Sequence, residues 1–279
     1  MVSFLRHSAL QVAVLITFAL AMAGCSSPPA SVAPPNLELV CSGEGSPTVI
    51  LVPGMATPAA VFESLQSLLE TDTRVCSYSR AGLGNSPPWP RDEADPSAGM
   101  AADHLRATLD ASEEHGPFVV VGWSYGGMVT QAFAQRHRDV TAGLVFEDSS
   151  VRSMFTQADF GVMRVEEGGR PIDMKRTRED LSELDFGDLP TIVLTRGELE
   201  GFDDATMKRW IQGHVELAAL STNSMHLIAF DAGHAIHWDS EALVEKAVDA
   251  VVESARSREP LPECDQYEWA PYTGECKEP

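Results

Sequence analysis

The residues with the clearest chemical potential are Gly122-Trp123-Ser124-Tyr125-Gly126, a serine framed by glycines between an apolar run and a stretch with helical spacing. A serine hydroxyl attacks an acyl carbon only when a base takes its proton and fixed donors hold the developing oxyanion. A sharp strand-to-helix turn meets part of that demand, because it lifts the hydroxyl to the sheet edge with a helix N-terminus behind it. Gly122 and Gly126 suit such a turn, since side chains there would collide with strand and helix. The G-x-S-x-G string arises by chance in about one chain of this length in ten, so its setting carries the inference. A base is available at Asp231-Ala232-Gly233-His234, after the last apolar run and before the last amphipathic stretch. A loop His at that place can reach back to Ser124. His237 competes with it, and His226 lies inside a strand and is expected to pack. His104, His115, His137 and His214 have helical or turn settings and are expected at the solvated surface. The oxyanion donors are expected from the backbone amides of Met55, in Val52-Pro53-Gly54-Met55, and of Tyr125.

These residues need a scaffold, and the apolar pattern describes one. Pro47–Val52, Arg74–Tyr78, Phe118–Val121, Ala142–Phe146, Thr191–Leu194 and Met225–Phe230 read as strands. Val61–Leu69, Met100–Leu109, Tyr125–Arg136 and Glu241–Ser254 have apolar residues at helical spacing. Strands that are continuous apolar runs and alternate with helices predict a mostly parallel sheet covered on both faces. Gly82-Leu83-Gly84 follows a strand but lacks the third Gly of a dinucleotide loop, and Pro87-Pro88 blocks the helix that would receive a pyrophosphate. No phosphate-binding G-x-x-x-x-G-K-[ST] occurs.

The order strand, Pro-Gly loop, G-x-S-x-G elbow and late Gly-His resembles the α/β-hydrolase fold over about Asn36 to Ser257. Cys76-Ser77-Tyr78-Ser79-Arg80-Ala81-Gly82-Leu83-Gly84-Asn85-Ser86 is similar to the Y-D-R-x-G-x-G-x-S segment of its esterase and lipase branch, with Ser79 in place of the Asp; Trp123 stands where many members carry His. The resemblance implies a single α/β domain, a Ser-His-acid triad, an acyl-enzyme, a small-molecule acyl substrate and no cofactor. It places the acid after the strand that follows the elbow helix or after the next one. Asp148, ending Gly143-Leu144-Val145-Phe146-Glu147-Asp148, is preferred; Glu200 and Asp203, near the end of the later strand, are the alternatives. Between Ser149 and Leu189 the periodicity fades, and the resemblance makes 149–189 a cap. Met154, Phe155, Phe160, Val162 and Met163 could line a pocket there or simply pack the cap. Arg164, Arg170, Lys175, Arg176 and Arg178 form a basic patch expected to be solvated. Amide or peptide hydrolysis on the same fold and a catalytically silent ligand-binding lipoprotein remain the alternative readings.

Composition limits the partners. With 279 residues and a formal net charge of -21, the chain has room for one large domain and would repel a phosphate backbone, so nucleic acid is set aside. Arg6 and His7 precede an apolar stretch from Val12 to Ala23, shorter than the roughly 20 residues of a membrane span, which reads as a signal peptide over 1–24. Met22-Ala23-Gly24-Cys25 resembles a bacterial lipobox, implying a lipidated Cys25, a tether over 25–36 and a membrane-anchored, extracytoplasmic protein; the alternative is a secreted one. The domain is expected over 37–257, with a tail over 258–279. Of 5 Cys, the four beyond Cys25 are Cys41, Cys76, Cys264 and Cys276, open to three disulfide pairings. A local Cys264–Cys276 bridge would order the tail, and Cys41 and Cys76 lie on runs that the fold brings near each other. Their spacing does not resemble a zinc site, and no metal is expected.

Overall fold

The computed structural model describes residues 36–154, 165–198, 201–264, 269 and 273–277. The expected signal segment, Cys25 and its tether up to residue 35, Glu200, and the cap residues Phe155, Phe160, Val162, Met163 and Arg164 lie outside them. The chain runs through β1 (Leu39–Ser42), β2 (Thr48–Val52), α1 (Glu63–Leu69), β3 (Val75–Tyr78), α2 (Ala98–Ala111), β4 (Phe118–Trp123), α3 (Tyr125–Arg136) and β5 (Thr141–Glu147). The expected cap contributes a hairpin, β6 (Glu166–Glu167) with β7 (Arg170–Pro171), and α4 (Met174–Asp180). The chain then continues through β8 (Thr191–Arg196), α5 (Asp204–Ala218), β9 (Ser224–Ala229), α6 (Ile236–Asp239), α7 (Glu241–Ser257) and β10 (Thr273–Lys277).

The larger sheet has eight strands in the order β1-β3-β2-β4-β5-β8-β9-β10. Every pairing from β3 across to β9 is parallel, while β1 and β10 close the two edges antiparallel. The period-two alternation of each strand feeds a separate core on each face. In β4, Phe118 and Val120 pack on one side in the cluster that holds Leu105 and Leu109 of α2 and Val129 and Phe133 of α3. Val119 and Val121 join the other cluster, with Leu65 and Leu69 of α1 and Leu243, Val244 and Val248 of α7. Burial on both faces explains why the strands read as unbroken apolar runs, each fully buried Val or Leu contributing roughly 1.5–3 kcal/mol. β2 lies between β3, its successor, and β4. The connections therefore diverge there, and the carboxyl ends of the strands at such a divergence are where open sheets of this kind commonly bind ligands.

Among the elements that the apolar pattern does not show are β1, α5 and β10. β1 is a half-exposed edge strand, and α5 buries only a narrow stripe that includes Met207, Trp210, His214 and Leu217. β10 belongs to the tail, which pairs with β9 and carries the Cys264–Cys276 disulfide, so the sheet extends past residue 257. Cys41 and Cys76 are cross-strand partners in β1 and β3 and form the second disulfide. His214 is buried rather than solvated, because α5 turns it toward the sheet and its polar atoms find partners there.

Candidate active site

Ser124 connects β4 to α3 with φ 54 and ψ -122, a left-handed backbone that a non-glycine residue adopts only where the surroundings hold it. Its neighbours show how. A Cβ on Gly122 would meet Thr130 Oγ1 and the Gly127 backbone, and one on Gly126 would meet the carbonyls of Val52 and Pro53. The turn can close this tightly only with glycine at both places. Ser124 caps α3 without a side-chain hydrogen bond to the helix, which leaves its Oγ available elsewhere.

His234 Nε2 lies 2.9 Å from Ser124 Oγ, and His234 Nδ1 lies 2.6 Å from Asp148 Oδ2. Asp148 follows β5, is fully buried and has φ 39, whereas the His234 side chain is 34% exposed. Asp148 also accepts from Arg196 Nε at 2.6 Å on Oδ2, and from Trp210 Nε1 at 2.6 Å and Arg196 N at 3.1 Å on Oδ1. Burial opposes ionisation of this carboxyl, but the His234 hydrogen bond, the nearby His214 and the positive charge of Arg196 prevail and hold its pKa below the ordinary value. An ionised carboxylate only accepts, so Nδ1 of His234 carries the proton and Nε2 is left to accept from the Ser124 hydroxyl. The chain of donors therefore runs from Ser124 to His234 to Asp148.

Asp203 and His237 are placed elsewhere, and Glu200 lies outside the described residues. Asp203 is exposed and caps α5, accepting from Thr206 N at 2.7 Å. His237 is buried, with Nδ1 2.5 Å from Glu147 Oε1, and Glu147 also accepts from His237 N at 2.8 Å. Consecutive residues leave a strand in opposite directions, so Glu147 and Asp148 each meet a different His of the same loop. Trp123 completes the loop's attachment by donating from Nε1 to the His234 carbonyl at 2.7 Å. Beneath Asp148, Ser149 O fixes the His214 tautomer: Nε2 must donate to that carbonyl at 2.8 Å, so Nδ1 accepts from Thr195 Oγ1 at 2.6 Å. His226 packs as expected and reaches the same hydroxyl at 2.7 Å.

Met55 lies on the loop after β2, and the Tyr125 amide is the first of α3, beside that loop at Gly126. Among the described residues no acceptor takes either N–H. Ser79 is bonded to Glu38. Its carboxylate accepts from Ser79 Oγ at 2.6 Å and Asn85 N at 3.0 Å, while Ser79 Oγ accepts from Ala59 N at 2.9 Å. Arg196, Trp210 and Glu147 carry no signal in the sequence, since each is recognisable only from the partner that the fold brings to it. Arg170 of the expected basic patch is tied to Asp95 at 2.8 Å and is not a free cation. Among the described residues the metal-like grouping is Cys41, Cys76 and Glu114, and its two sulfurs are joined in a disulfide and offer no thiolates.

Comparison with known proteins agrees with this architecture. Residues 47–199, more than half of the chain, match the family model described as alpha/beta hydrolase fold. The uncharacterized protein YqjL of Bacillus subtilis is 24% identical over 218 residues, covering 74% of this chain and 83% of its own. The pimeloyl-[acyl-carrier protein] methyl ester esterase of Chromobacterium violaceum is 33% identical over 117 residues, and the match covers only 42% of either chain. Among solved structures, a thermophilic esterase from Thermogutta terrifontis superposes with a TM-score of 0.60 at 19% identity, over 78% of this chain and 93% of that one.

Proposed function

The chain belongs to the alpha/beta hydrolase fold family, and from that premise we propose that it is a serine hydrolase cleaving a carboxylic ester of a small acyl substrate. The observation that carries this reading is the unbroken Ser124 Oγ, His234 Nε2, His234 Nδ1, Asp148 Oδ2 relay, with separations of 2.9 and 2.6 Å, at the carboxyl edge of the sheet. Ser124 Oγ attacks the carbonyl carbon as His234 Nε2 takes its proton, and the amides of Met55 and Tyr125 receive the oxyanion. Collapse of the tetrahedral intermediate expels the alcohol, whose oxygen takes the proton back from His234. Water then gives a proton to His234 and attacks the acyl-enzyme, and the second collapse frees the acid and restores Ser124. Asp148 remains ionised throughout and holds the imidazole in the working tautomer. The esterase names among the relatives favour an ester over an amide.

The test is Ser124→Ala, assayed on a panel of p-nitrophenyl esters. Loss of about 10³-fold or more in turnover with an unchanged melting curve is expected; near-normal turnover would reject the assignment. The same reading places the enzyme outside the cytoplasm, anchored through a lipid on Cys25. The lipobox-like Met22-Ala23-Gly24-Cys25 supports this, as do two disulfides of the kind that persist in oxidising compartments.

A further inference from the structure

Arg80 is among the largest fully buried side chains, and Glu167, from the cap hairpin, is buried against it. Arg80 Nε donates to Glu167 Oε1 at 2.6 Å and Nη2 to Glu167 Oε2 at 2.8 Å, the paired geometry that best offsets the desolvation of both charges. The remaining contacts of the pair converge on one short loop. Arg80 Nη1 donates to Pro53 O at 2.6 Å, Arg80 Nη2 also donates to Gly54 O, and Glu167 Oε2 accepts from Ala56 N at 2.9 Å. The bound residues are 53, 54 and 56, so the pair holds the loop on both sides of Met55.

Peptide planarity turns these contacts into an orientation. Gly54 C=O and Met55 N–H belong to one trans peptide unit and point in opposite directions. A carbonyl drawn toward the Arg80 guanidinium therefore aims the Met55 N–H away from it. The Ala56 N–H, drawn toward Glu167, fixes the next peptide unit in the same way and helps hold Ala56 at φ 55, a left-handed backbone that is costly outside glycine. Thr57 Oγ1 adds a donor to Gly54 O at 2.7 Å but reaches neither Pro53 nor Ala56. The guanidinium also lies 5.5 Å above the Tyr125 ring, so it touches the residue that carries the second amide. Glu167 itself is held in place, because the Gly168 turn packs backbone to backbone on Ala81 and Gly82, and Arg170 bonds Asp95 and Pro90 O.

We propose that Glu167, acting with Arg80, is a positioning residue of the cap that sets the direction of the Met55 amide and so makes oxyanion stabilisation depend on the cap hairpin. The inference rests on the serine-hydrolase reading. Glu167→Gln replaces one acceptor oxygen with a donor that must face Arg80 or Ala56 N–H. Glu167→Asp keeps the charge that neutralises Arg80 but is one methylene too short to span both partners, so it carries the test if the Gln variant does not fold. Losing an oxyanion donor costs about 10²–10³ in kcat. Misdirecting one should lower kcat on p-nitrophenyl butyrate by roughly 10- to 100-fold with KM within about threefold. The inhibition constant of an alkyl trifluoromethyl ketone, whose hemiketal oxyanion needs the same amides, should weaken by the same factor as kcat falls. A folded variant with kcat near wild type, or with reduced kcat and an unmoved inhibition constant, would overturn the inference. Ser124→Ala separates the two levels: normal turnover in that variant would overturn the hydrolase reading and this inference with it, whereas its loss beside unaffected Glu167 variants would overturn this inference alone.

Discussion

Asp148→Asn is the substitution whose outcome the hydrogen-bond pattern determines most fully. The carboxylate faces only donors: His234 Nδ1 and Arg196 Nε on Oδ2, Trp210 Nε1 and Arg196 N on Oδ1. An asparagine must turn its NH2 toward one of these pairs. Facing the Oδ1 side, it would oppose two donors that have no other state, the indole and the backbone amide. Facing the Oδ2 side, it would oppose only one fixed donor, Arg196 Nε, because His234 can respond by moving its proton to Nε2. The second arrangement leaves fewer conflicts, and it places a proton on the nitrogen that must accept from Ser124. Turnover should therefore fall by about 10⁴, equivalent to roughly 5.5 kcal/mol of lost transition-state stabilisation. The protein should also be destabilised, since the ion pair that Asp148 makes with the buried Arg196 is lost; breaking a buried pair costs up to about 3–5 kcal/mol. The assay is kcat on p-nitrophenyl butyrate, at a temperature at which the melting curve shows the variant folded. Asp203→Asn, which alters only a helix cap, serves as the control and should keep its rate. A folded Asp148→Asn within tenfold of wild type would refute the reasoning.

Three further outcomes follow from named groups. Burial, opposed by the charge of Asp148, holds the His214 pKa below the ordinary 6.5, so between that value and its folded-state pKa the unfolded chain binds more protons. Stability should be full above about pH 6.5 and fall on acidification by up to ~1.4 kcal/mol per unit; His214→Gln, which can keep both hydrogen bonds without titrating, should melt with a shallower dependence between pH 7.5 and 5, and an equal slope would contradict this. The Asp249 carboxyl is pushed up to about 6 by burial and then by Glu245 and Asp72, so ionising it costs stability as pH rises through that value. Asp249→Asn should raise Tm at pH 7.5 by a gain of no more than ~1 kcal/mol, given its partial exposure, and the gain should vanish near pH 4. If Cys25 is lipidated, the protein from its native host should enter the detergent phase and Cys25→Ala should not; recovery of the wild type wholly in the aqueous phase would reject the anchor.

The Ser124 turn was legible in the sequence because its geometry restricts residue type: two glycines around a serine, between a strand and a helix, are needed to make the bend. The sheet was legible for a related reason, since strands buried on both faces cannot hide their apolar runs. The acid beside His234 was less legible: Asp148 is preferred from its strand, but Asp148, Glu200 and Asp203 all follow strands of the same sheet. Only spatial partners distinguish them: Asp148 meets His234, whereas Asp203 meets its own helix. The surface setting expected for His214 does not hold: α5 is mostly polar in sequence, and a buried His there depends on Thr195 and Ser149, which the chain brings from other elements. Arg80 stood in a recognisable motif, but nothing in Glu166-Glu167 distinguishes that pair of acids from the many others in a chain with a net charge of -21.

Activation of Ser124 by His234, as proposed, can be read out by covalent labelling. The protein is treated with a fluorophosphonate, digested, and the modified peptide located by mass spectrometry. One phosphonyl adduct per chain is expected, on Ser124, formed rapidly by the wild type and slowed by orders of magnitude in His234→Ala. An unlabelled Ser124 in folded protein, an adduct on another residue, or labelling that is indifferent to the loss of His234 would contradict it.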